Sequence, residues 1–379
     1  MKRRWTSLAV AVGAVVLVSC SDAVGGAVDD TVVGAQPATP TNDGTTADTR
    51  SQPAPTTAPT PTATTVATAS SGPTASPALA PEARASELCT SQTTSVLGTV
   101  QNPELDEASG LAASRRHPGV VWAHNDGAEN PGLFAIGADG ADAGFHPLAV
   151  DVVSDVEDIA LISGAEHDEI LLADIGDNDA NRPLIRIHLF AEPDPTVAPS
   201  PITDVDVLEF VYPDRPHNAE VLLVDEANRQ VVIVTKQQRA IEGVPSDFGA
   251  TAPSSVFTGP IDGHVDRPIE LTPAGTIDTL LLESRTVAVA PHLSTLLGFG
   301  GLPTAGDVSP DGSLIALRTY ETVWVWPRLA GRTVAESLMS DPCQARISAE
   351  PQGEALTFRD GTLVTLSEGV DQDLFELRP

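Results

Sequence analysis

The sequence predicts an all-β protein: a β-propeller with five blades visible in the sequence, five- or six-bladed as a ring, and closed by its N- and C-terminal strands. Three observations carry this expectation: composition, a rhythm of short apolar runs between turn residues, and an internal repeat. Of 379 residues only 4% are aromatic, whereas 32 are Pro and 30 are Gly. Such a chain favours strands, turns and linker over a helical bundle. Strand-length apolar runs broken by turn residues occupy residues 87–379, and self-similarity within them marks a repeat architecture.

Five segments share one plan: a polar or acidic residue, a short apolar strand, a turn, a second apolar strand and a polar end. The first runs from Ser109-Gly110-Leu111-Ala112 through Val120-Val121-Trp122-Ala123 to His124-Asn125-Asp126. The second opens at Glu157-Asp158-Ile159-Ala160-Leu161 and, after Ile170-Leu171-Leu172-Ala173, ends in Asp174-Ile175-Gly176-Asp177-Asn178. In the third, Asn218-Ala219-Glu220-Val221 leads to Val231-Val232-Ile233-Val234 and Lys236. A fourth starts at Gly306-Asp307-Val308, turns at Ser309-Pro310-Asp311-Gly312 and ends Arg318-Thr319-Tyr320. The fifth starts at Gly353-Glu354-Ala355 and ends Ser367-Glu368. Third strands follow at Leu133–Ile136, Leu184–Ile187, Val323–Trp326 and Leu374–Leu377. Radial repetition of short strands fits propeller blades. Residues 267–303, with Thr286-Val287-Ala288-Val289-Ala290, are read as an extended or a degenerate sixth blade. The last repeat lacks an outer strand, which residues Ser95–Val100 are expected to supply.

The Ser309-Pro310-Asp311-Gly312 turn resembles that of TolB-type, WD40-like propellers. The strings at Asp174–Asn178, His217-Asn218-Ala219-Glu220 and Pro351–Ala355 are similar to those of secreted actinobacterial propellers, a group with no established activity. The resemblance covers about residues 95–379 and implies the propeller fold alone.

Ahead of the repeats, Lys2, Arg3 and Arg4 precede the apolar run Leu8–Val18. That run is too short to cross a hydrocarbon core of roughly 30 Å and reads as a secretory signal, residues 1–19. Leu17-Val18-Ser19-Cys20 resembles the lipobox of bacterial lipoproteins, which implies lipidation of Cys20. The chain is then expected outside the cytoplasm, anchored to the outer face of the bacterial cytoplasmic membrane. Residues 20–86, dominated by Thr, Pro, Ala and Ser, are predicted to be a disordered tether. Cys89 and Cys343 remain as an even pair, expected to form a disulfide in an oxidising compartment.

Lys plus Arg number 21 and Asp plus Glu 52, a formal net charge of −31. Loss of residues 1–19 removes three positive charges and no acidic ones, giving −34. Phosphate binding needs clustered Lys and Arg, so no nucleic-acid partner is expected. Antiparallel pairing brings the start of each first strand and the end of each second to one face. The expected axial residues are His124, Asn125, Asp126, Glu157, Asp174, Asp177, Asn178, Lys236, Arg318, Tyr320 and Glu368. The carboxylates Asp158, Glu220, Asp307 and Glu354 are a candidate metal set. Crowded acids raise each other's pKa unless a positive charge sits among them. Two arrangements relieve this: a hard cation, most plausibly Ca2+ outside the cell, or pairing with Lys236 and Arg318. Calcium-dependent lactonase and phytase-type propellers are similar only in general layout. Asp177 and Asn178 also suit Asx turns, and His217 is the candidate general base of a hydrolase. No nucleophile elbow, HExxH, P-loop or CxxC motif occurs. Three functions stay open at this point: an axial-face binding protein for a ligand or protein partner, a metal-assisted hydrolase of an ester, lactone or phosphate, and a purely structural envelope component.

Overall fold

The computed structural model describes residues 79–90, 93–164, 166–239, 250–262, 267–285 and 300–379. The signal segment 1–19, Cys20, the tether up to residue 78 and the apolar run at 286–290 lie outside the described residues. Strand β1 (Thr93–Thr99) comes first in this part of the chain but last in the ring. Blade 1 is β2 (Ala108–Ala113), β3 (Val120–Asn125), β4 (Gly132–Gly137) and β5 (Asp142–Pro147). Blade 2 is β6 (Val156–Ile162), β7 (Glu169–Asp174), β8 (Ile185–Ala191) and β9 (Asp206–Val211). Blade 3 begins with β10 (Ala219–Asp225) and β11 (Gln230–Thr235), after which a small hairpin, β12 (Gln238–Arg239) and β13 (Ala250–Thr251), is inserted. It continues with β14 (Ser254–Pro260), a detour through β15 (Ile269–Glu270), and β16 (Thr272–Ile277). The detour adds β15 in parallel to the outer edge of blade 2. Blade 4 is β17 (Pro303–Val308), β18 (Leu314–Thr319), β19 (Val323–Pro327) and β20 (Cys343–Ala345). Blade 5 is β21 (Gly353–Arg359), β22 (Thr362–Ser367) and β23 (Asp373–Arg378), completed by β1.

Among the described residues the blades number five, and the described part of the candidate sixth, residues 267–285, forms β15, the outer strand of blade 3 and the helix Thr279–Arg285. The innermost strands β2, β6, β10, β17 and β21 touch in cyclic order, so the sheets close into a ring. Pairing of β1 with β23, Thr93 opposite Arg378, joins the two ends as the sequence suggests.

Apolar residues gather between blades, not on the axis. Five buried clusters fill the five blade–blade interfaces. A blade strand is covered on both faces, which explains continuous apolar runs such as Val231–Val234 in place of alternation. Trp324 and Trp326 lie in the wedge between blades 3 and 4. That position accounts for both as blade packing.

A helix, Pro81–Thr90, precedes the ring. Its Ala85 and Leu88 enter the wedge between blades 4 and 5. Arg84 pairs with Asp311 in the Ser309–Gly312 turn, so the helix is tied to blade 4 by charge as well. Cys89 and Cys343 are disulfide-bonded with Cα atoms 5.9 Å apart. The bond fastens the helix to β20, the outer strand of blade 4. The composition shift at residue 87 thus falls within this helix, which starts at Pro81.

Because the bridge spans 254 residues, its loss should release much chain entropy in the unfolded state. Replacing both cysteines by Ser is expected to lower stability by about 2–5 kcal/mol, measured by urea unfolding. A variant as stable as the oxidised wild type would show that the bridge carries no stability.

Candidate functional site

Each innermost strand starts with the same irregularity. Register shifts fall between Ala108 and Gly110, Val156 and Asp158, Ala219 and Val221, Pro303 and Ala305, and Gly353 and Ala355. The residues passed over are Ser109, Glu157, Glu220, Thr304 and Glu354, all buried. A bulge leaves its extra residue outside the ladder and re-aims the side chain. The second strands leave the same end of the ring at Asp126, Ile175, Lys236, Tyr320 and Glu368, each following the last paired residue.

Two of the bulge residues link neighbouring blades. Ser109 Oγ donates to the Glu157 carbonyl at 3.0 Å, and Thr304 Oγ1 to the Gly353 carbonyl at 2.9 Å. Glu220 instead stands within electrostatic reach of both Glu157 and Glu354. Lys236 sits among them, its Nζ 2.5 and 2.6 Å from the two Glu220 oxygens and 2.8 Å from the Tyr320 hydroxyl. Gln352 donates to Glu354 at 3.1 Å and also bonds Glu368.

This mouth is over-supplied with acid. Burial, only partly offset by Lys236, lifts Glu220 to about 7. Burial lifts Glu354 to about 7 against the pull of Lys236, and burial with Asp126 and Glu107 nearby does the same to Glu368. Burial and then Glu220 push Glu157 well above the usual carboxylate range. The concave mouth surrounds Asp126, although its outer edge reaches water; that desolvation, with Asp155 and Glu220, takes it to about 7. Burial holds Asp155 at about 6 despite Arg182.

Asp126, Asp155 and Glu157 each offer an oxygen within 4.8 Å of the others. Among the described residues, this is the one group of three or more metal-ligand side chains that converges so closely. The four carboxylates expected to act together take separate roles. Asp158 accepts backbone N–H bonds from Ile159 at 2.9 Å, Leu222 at 2.8 Å and Gly306 at 3.3 Å. Asp307 accepts from Val308 and Phe358 N–H groups at 2.7 Å and from Thr357 Oγ1 at 2.9 Å. Glu220 and Glu354 belong to the mouth.

The remaining expected residues divide between mouth and frame. Asp126, Glu157, Lys236, Tyr320 and Glu368 line the mouth. Arg318 is fully buried, paired with Glu350 at 2.6 Å and bonded to the Ala355 carbonyl at 3.1 Å. Gly353 must lack a side chain because a Cβ there would overlap the Arg318 guanidinium. His124 is buried and stays neutral, its pKa lowered to about 4 by desolvation. Asn125 bonds the Glu104 carbonyl at 2.7 Å. Asp174 pairs with Arg182 at 2.8 Å and accepts the Ser154 and Asp155 N–H groups. Asp177 accepts the N–H groups of Asn181 and Arg182, and Asn178 accepts from Asn218. His217 has both ring nitrogens engaged: Gln237 donates to Nδ1 at 2.8 Å, which leaves Nε2–H to donate to Asp214 at 3.0 Å. A proton acceptor held in this way has no free lone pair for a substrate.

Sequence reasoning missed Asp155, Thr304, Gln352 and Gly176. A cue for Asp155 was present, since it stands two residues before Glu157 in an acidic stretch. Two cavities, about 600 Å³ beside Arg186 and His188 and about 320 Å³ between Ala112, Val224 and Phe358, are lined by none of the mouth acids. The second lies at the opposite ends of the innermost strands.

No protein-family model matches the chain, and no curated protein matches it. Similar solved structures include a nidogen/laminin complex, 11% identical over 69% of this chain and 72% of that one, TM-score 0.37. A calcium structure of a Trichoderma reesei carbohydrate-active enzyme of family AA12 is 13% identical, covers 71% and 80%, and has TM-score 0.38. The PQQ-bound aldose sugar dehydrogenase of Streptomyces coelicolor is 10% identical, covers 75% and 97%, and has TM-score 0.35.

A raised carboxyl pKa means that the folded chain holds its proton after the unfolded chain has released it. The stability from Glu220, Glu354 and Glu368 is therefore present at low pH and lost as pH rises through about 7,. His124 works the other way, but only below its unfolded value of roughly 6.5. In a chelating buffer the melting temperature should be several degrees higher at pH 6 than at pH 8. The pair Glu354→Gln and Glu368→Gln should flatten the difference. A wild-type melting temperature that climbs from pH 6 to pH 8 would contradict this.

Proposed function

We propose that the chain is a binding propeller displayed outside the cytoplasm, which takes its ligand or protein partner on the acidic axial mouth. One observation carries the reading: Glu157, Glu220, Glu354, Glu368, Asp126 and Asp155 converge around Lys236, and Lys236 is already paired with Glu220. Such a mouth is stabilised by whatever brings positive charge into it. Ca2+ is the cofactor this reading calls for, being a hard cation suited to oxygen ligands. A binding role is also favoured over hydrolysis by His217, whose ring nitrogens are both occupied, and by Asp158 and Asp307, whose oxygens serve the frame.

Display outside the cytoplasm completes the proposal: a lipid on Cys20, the Thr/Pro/Ala-rich tether, and a ring held off the membrane. The juxtaposition of Cys89 and Cys343 supports an oxidising compartment,.

Titration calorimetry of the full chain with an oligo-arginine peptide, in a chelating buffer, tests the mouth directly. Binding is expected to weaken as salt rises. The double variant Glu354→Gln, Glu368→Gln should weaken it at least about tenfold, roughly 1.4 kcal/mol, with circular dichroism unchanged. No binding, or binding indifferent to both substitutions, would reject the mouth as the capture site.

A further inference from the structure

We infer that Asp126, Asp155 and Glu157 form a binding site for a hard divalent cation, Ca2+ by its chemistry, on the blade 1–blade 2 side of the mouth. The inference rests on the mouth being the binding face and names what the face holds first.

Local backbone structure builds the triad. Gly127 forms a β-bridge with Val156, which lays the end of blade 1 against the start of β6. This contact brings Asp126 beside Glu157, the bulge residue of blade 2. Asp155 is held from both sides: its N–H donates to Asp174 Oδ1 at 2.9 Å, and its carbonyl accepts from Gly176 at 3.1 Å. Asp174 is itself fixed by Arg182. A support of this kind orients ligands around a metal. The Asp126 N–H bonds the Glu107 carbonyl at 2.7 Å, so all three carboxylates project from tethered backbone.

Two features of the triad bear on an occupant. Glu157 is only 4% exposed, and no described residue donates a hydrogen bond to its carboxylate or forms an ion pair with it. Its oxygens take no protein donor and reach the solvent of the mouth, which leaves them open to a cation,, and Lys236 is engaged by Glu220 and Tyr320. Gly176 is the second. A Cβ at that position would collide with Glu157 Oε1 and Asp155 Oδ2. The two carboxylates already occupy that position, so the missing side chain is what lets them come together against the backbone.

The donor set selects the ion. Three carboxylates with oxygens within 4.8 Å suit a cation with ligand bonds of roughly 2.3–2.6 Å. Oxygen donors alone, with no His or Cys, favour Ca2+, Mg2+ or Mn2+ over Zn2+ or copper. The irregular arrangement from two blades suits Ca2+, which tolerates variable geometry, better than Mg2+, which demands an octahedron. Asp126 is exposed, so the outward positions of the ion face solvent and are open to oxygen atoms of an incoming ligand.

The full chain, freed of metal by chelation and dialysis, is titrated with CaCl2 and separately with MgCl2, by calorimetry and by melting. One Ca2+ per chain is expected, with Kd of about 10⁻⁴–10⁻³ M as in extracellular modules, and a melting temperature that rises with CaCl2. Glu157→Gln and Asp155→Asn should each weaken binding at least about tenfold. Both should melt no lower than wild type in chelator, since each removes a crowded negative charge. Glu82→Gln, on the N-terminal helix and outside the mouth, should keep the calcium response. A wild type silent to both salts, a response to MgCl2 alone, or calcium binding retained in Glu157→Gln and Asp155→Asn would overturn the site. Oligo-arginine binding without a calcium response would remove the metal site and leave the binding mouth standing. A calcium response without peptide binding would do the reverse.

Discussion

Closing five sheets into a ring leaves the inner edge of each innermost strand without a ladder partner. The N–H groups on that edge must find acceptors. Here they find two aspartates. Asp158, from blade 2, accepts N–H bonds from Leu222 in blade 3 and Gly306 in blade 4. Asp307, from blade 4, accepts from Phe358 in blade 5 and from Thr357 Oγ1, and Thr357 Oγ1 in turn accepts the Ala113 N–H of blade 1. One carboxylate and one carboxylate–hydroxyl pair thus tie all five blades across the axis. Loss of either would strand several buried donors at once, each costing about 1–3 kcal/mol.

That network also decides where the chemistry lies. Asp158 and Asp307 are saturated by donors, although burial still pushes Asp158 well above the usual carboxylate range and Asp307 to about 6. At the bulge end nothing comparable exists: ladder pairing ends, the glutamates are re-aimed, and Lys236 offsets part of a crowd of carboxylates. The same kind of residue therefore stabilises the ring at one depth and strains it at another. Adjacent Glu157 and Asp158 show the contrast most sharply, one without a donor and the other with three N–H partners.

Much of the architecture was legible because propeller packing writes itself into composition. Doubly covered strands read as apolar runs, the missing outer strand of the last repeat called for Ser95–Val100, and the two remaining cysteines pair between the N-terminal helix and the outer strand of blade 4. The site was less legible, because a bulge changes side-chain direction without changing residue type. The sequence groups Asp307 with Asp158, Glu220 and Glu354, whereas the blade 4 residue that matches the bulge glutamates is Thr304, three positions earlier. His124 and Arg318 resemble strand-end ligands in the sequence, yet they occupy equivalent buried positions opposite Gly110 and Ala305. Asp155 and Gly176 belong to loops whose approach depends on the Gly127–Val156 bridge, a contact with no periodic signature.

Why the chain tolerates such a mouth follows from where its stability resides. Five interblade wedges hold the apolar side chains, and the disulfide ties the N-terminal helix to blade 4. Neither depends on Glu157, Glu220 or Glu354. A frame with separate sources of stability can hold unfavourable charge at one end, and local rules are most often broken where function requires it. Replacing the glutamates by apolar residues would suit folding alone. Their presence at the same bulge position in three blades, beside a glycine that lets two of the carboxylates approach the backbone, is what the proposed occupant, bringing positive charge, would call for.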